Sequence, residues 1–73
     1  MSEQDMLTIY EIMEDLLKNS EKLTKLANEQ RKKGYMTRGS EIASMYESNA
    51  DDFLKKADDL ALLAIDLKST YIG

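Results

Sequence analysis

The sequence predicts an all-α protein: an antiparallel two-helix hairpin with alanine-rich heptad packing, dimerising into a four-helix bundle. Three observations lead there. From Ala50 the chain reads ADDFLKK, ADDLALL, AIDLKST, a repeat of seven residues. Helix breakers are confined to the middle and the end, with no proline and glycine only at 34, 39 and 73. The apolar residues also exceed what a single helix–helix seam can cover. The chain is therefore taken as one helical-hairpin domain, residues 1–73, with helix 1 at about 3–33, a turn at 34–39 and helix 2 at about 40–71.

Helix 1 opens on Ser2 with Asp5 three residues later, a variant of the capping box. Met6, Ile9, Met13, Leu16, Leu23 and Ala27 then recur at helical spacing. Asn19 and Ser20 are weak helix formers and offer a possible break, but the seam described below needs a continuous helix. Arg31, Lys32 and Lys33 suit the negative end of the helix dipole, and Gly34 suits a C′ position. GYMTRG forms the turn. Ser40 is the expected N-cap of helix 2, with Thr37 as the alternative.

In helix 2 one heptad column is small (Ala43, Ala50, Ala57, Ala64) and the other large (Tyr46, Phe53, Leu60, Leu67). Helix 1 supplies Met6, Met13, Ser20 and Ala27, and Ile9, Leu16, Leu23 and Gln30. Folding between Met36 and Thr37 makes facing residue numbers add to about 73. Small then meets large: Ser20 faces Phe53, and Ala27 faces Tyr46. The layers would have similar volumes and the helices would approach closely.

Apolar residues crowd the open end of this hairpin. Leu7, Tyr10, Ile12, Leu17, Leu62, Ile65 and Ile72 lie outside what one seam covers, and mark an oligomer or partner interface. A chain of about this size buries only roughly 60% of its extended surface, so it commonly needs a staple or a partner. Cysteine and histidine are absent, which excludes disulfides and the usual zinc sites. A second copy of the chain is the expected partner. The size and pattern resemble the Rop family of plasmid RNA-binding regulators, helical hairpins that dimerise into four-helix bundles. That resemblance implies the architecture; the family's RNA-contacting residues have no match here.

Chemistry is sparse. Glu11 and Glu14 form Glu-x-x-Glu, and Asp15 follows, but the later Glu-x-x-Asp of helical pyrophosphohydrolases is missing. Di-iron bundles need Glu-x-x-His, and there is no histidine. No catalytic, metal or cofactor site is expected, nor a small-molecule substrate. Two charged features remain. Asp51, Asp52, Asp58, Asp59 and Asp66 form an acidic face towards water or a partner, too extended for one cation at about 10 Å per heptad. Arg31, Lys32, Lys33 and Arg38 surround Tyr35 in RKKGYMTR, a candidate contact for nucleic acid or an acidic partner. The net charge of −4 disfavours general attraction to nucleic acid or anionic membrane. No apolar run reaches membrane-spanning length, and cytoplasm is the default location. The expected function is a small non-catalytic protein–protein interaction module, a regulator, adaptor or inhibitor such as a phage or plasmid encodes, acting as a homodimer. The alternative is a Rop-like nucleic-acid-binding regulator using the basic turn.

Overall fold

A computed structural model describes residues 2–73. Two helices fill it: α1 (Glu3–Met36) and α2 (Ser40–Leu67). They pack antiparallel, as a hairpin closed by three residues. A wider, π-helical turn, Lys68–Ile72, continues α2 and is closed by the Gly73 amide donating to the Lys68 carbonyl at 2.9 Å. No helix among these residues is long and apolar enough to cross a membrane.

Local chemistry sets the ends. Ser2 caps α1, its Oγ accepting from the Asp5 amide at 3.2 Å. α1 passes Asn19 and Ser20 without a break, and also passes Gly34, ending at Met36. There the Thr37 hydroxyl donates to the Lys33 carbonyl at 2.6 Å and the Thr37 amide to Gly34. The expected C′ role of Gly34 is thus corrected. Gly34 stays helical because α2 crosses it closely: a methyl at this position would sit 3.4 Å from the Ala43 carbonyl oxygen. Gly39, not Ser40 or Thr37, is the N-cap of α2, and its carbonyl accepts from the Ala43 amide at 2.9 Å.

The seam follows the heptads. Every residue in the two columns of each helix is buried or half-buried, while most others are exposed. The pairing across the seam differs from the expected one. The Ser20 hydroxyl donates to the Ala57 carbonyl at 2.8 Å, and Gly34 lies against Ala43. Facing numbers therefore add to about 77, a shift of about one helical turn. The reason is the longer α1, which moves the bend to Arg38. Small now meets small (Ser20 with Ala57, Ala27 with Ala50, Gly34 with Ala43), and layers of large residues alternate with these.

Close small–small contact seals Ala27, Ala50 and Ala57, and Ala64, opposite Met13, is sealed as well; all four are 2% exposed or less and are the entire buried core among the described residues. Ile9, Leu16, Leu23, Phe53, Leu60 and Leu67 are only half-buried. The molecule measures 56 × 15 × 11 Å, with a radius of gyration of 16.6 Å. A globule of this length has about 11 Å. The hairpin is a two-helix ribbon with two broad faces, each able to receive another layer.

Candidate interaction surfaces

Helical position assigns each side chain to a face of the ribbon. The first face is flanked by the columns beside the alanines. Its open end carries exposed Leu7, Tyr10, Leu17 and Ile65, with half-buried Leu54, Ala61 and Ile72 beside them. Its turn end is polar, because Arg31 reaches across to Asp51 at 3.2 Å. Both partners of that bridge are substantially exposed, so it contributes at most about 1 kcal/mol.

The second face displays the large seam residues. Ile12 and Leu26 flank them on α1, and Ile42 and Leu63 on α2; all four are exposed in the hairpin. Of these, only Ile12 belongs to the interface set expected from sequence. Leu26, Ile42 and Leu63 were missed, although they share the heptad position beside the large column, the signal that could have found them. Exposed Met36 and Met45 add to its turn end, while exposed Tyr35 stands on the first-face side beside Arg31. Apolar exposure therefore runs the length of the ribbon rather than stopping at the open end.

Leu62 lies on the outer side of α2, 61% exposed, remote from both faces' centres. With Leu63, Asp59 and Asp66 it lines a shallow depression. The aspartates straddle this outer side: Asp51 and Asp58 lean towards the first face, and Asp52, Asp59 and Asp66 towards the second. Lys56 pairs with Asp52 at 3.7 Å. Among the described residues, no three acidic side chains converge into a cation site.

The basic turn is looser than its sequence suggests. Arg31 is engaged by Asp51, while Tyr35, 82% exposed, shares a shallow depression with Asn28, Arg31 and Lys32. Lys33 sits on the second face, and Arg38 in the loop.

The fold thus defines a class, the two-helix hairpin with exposed apolar faces. Compared with protein-family models, characterised proteins and solved structures, the chain gives no significant match.

Proposed function

We propose that the chain is a small non-catalytic protein–protein interaction module, a regulator, adaptor or inhibitor, working as a helical dimer in which two hairpins complete a four-helix bundle. The observation that supports it is the exposed area. The hairpin leaves 5746 Å² accessible, where a compact 8.3 kDa protein leaves about 4,600 Å². The surplus of roughly 1,200 Å² exceeds the ~800 Å² that each partner contributes to a standard interface. A second copy covers one face. The open-end patch of Leu7, Tyr10, Leu17, Ile65 and Ile72 on the other face then receives a protein partner.

The test is mass in solution by light scattering, followed by affinity capture. The expected result is twice the chain mass, and a specific protein retained by the native chain but lost with Ile65→Asp at unchanged dimer mass. A monomer at micromolar concentration counts against the dimer, and capture indifferent to Ile65→Asp counts against the patch.

A second reading, nucleic-acid binding through the turn, draws on exposed Tyr35 beside Lys32, a stacking surface next to a cation. It requires a gel shift with structured RNA or single-stranded DNA that Tyr35→Ala and Lys32→Ala weaken.

A further inference from the structure

We infer that the second copy docks on the face of the large seam residues, and that the two hairpins run antiparallel about a two-fold axis through Asn19. This rests on the dimer reading above and specifies its surface and orientation.

The column of α1 that flanks this face reads Asp5, Ile12, Asn19, Leu26, Lys33 at heptad intervals. Reversed about Asn19, it complements itself. Asp5 meets the second copy's Lys33, Ile12 meets Leu26, and Asn19 meets Asn19. All five are exposed in the hairpin. The next column outward adds one pair of opposite charge, Asp15 with Lys22. Asn19 is also the midpoint of α1, so a two-fold there overlaps the hairpins along their full length. An amide pair between the apolar Ile12–Leu26 pairs fixes register, because any slip leaves its amides without partners. Lys56 of each copy also approaches the axis, and Asp52, 3.7 Å away in its own chain, offsets that charge.

Overall charge selects the same orientation. The open half, residues 2–19 and 56–73, holds eight carboxylates and three cations, a net −5. The turn half, residues 20–55, holds six and seven, a net +1. A parallel dimer stacks −5 upon −5. The antiparallel dimer lays each acidic half over a near-neutral, lysine-rich one, and like-charge juxtaposition is what interfaces avoid.

Because the chain lacks cysteine, single cysteines report the geometry. Under mild oxidation, Asn19→Cys is expected to form a covalent dimer in high yield. Asp5→Cys and Lys33→Cys chains are expected to cross-link when mixed, and each alone to remain uncoupled. A dimer by mass in which Asn19→Cys fails to cross-link, or in which Arg38→Cys in the turn couples efficiently to itself, overturns this face and orientation but leaves dimerisation standing. A monomer by mass overturns both.

Discussion

Ser20 and Gly34 carry the close approach of the helices. Ser20 donates its hydroxyl to the Ala57 carbonyl, a backbone oxygen already inside its own helix. Ser20→Ala therefore removes one hydrogen bond without stranding a buried group, and is expected to cost about 0.5–1.5 kcal/mol in urea unfolding. Gly34 is helical, with a neighbouring backbone 3.4 Å from where a methyl would stand. One methyl fits and a branched chain does not. Gly34→Ala is expected to raise the urea midpoint, gaining about 0.5–1 kcal/mol of helix propensity. Gly34→Leu is expected to lower it by about 1–3 kcal/mol through overpacking. A loss with alanine equal to that with leucine would show that no added atom is tolerated there. At this scale sequence is ambiguous for a physical reason. A glycine after a run of cations serves equally as a helix terminator or as a point of close contact, and only the neighbouring helix decides.

For the helices themselves, the heptad columns were legible because burial in a seam imposes one period on both chain halves. All eight column positions in α1 and all eight in α2 are withdrawn from solvent. The pairing between columns was not legible. It depends on where the bend falls, and three further helical residues in α1 moved every facing pair by about a turn. The flanking residues Leu26, Ile42 and Leu63 were passed over for a related reason: a seam residue and its flank differ by under a third of a turn. Phe53 tests the layered packing. It is half-buried in the isolated hairpin and becomes core once the second face is covered. Phe53→Ala is expected to destabilise the native assembly by about 3–5 kcal/mol. A loss below about 1 kcal/mol would mean that nothing covers that face.

At the scale of the molecule, a ribbon whose buried core among the described residues is four alanines draws little stability from within. In the proposed dimer folding and association are coupled, and the melting temperature is expected to climb as chain concentration rises from about 1 to 100 μM, by mass action. A concentration-independent melt would mark a self-sufficient monomer. The candidate surfaces were partly legible at this scale: an excess of apolar residues was plain from sequence, but its division between two faces needed the helices' pairing. The three-residue connection has a kinetic consequence. Gly34 and Ala43 are nine positions apart, whereas Ile9 and Leu67 are separated by most of the chain. Loop closure is cheapest beside the bend, so the hairpin zips from the turn outward and frays in the reverse order. Amide exchange should be slowest around Ala27 and Ala50 and fastest towards Ile9 and Leu67. The last segment to close is also the one that holds the apolar patch, so the partner proposed above would meet the stretch that closes last and would hold it shut on contact.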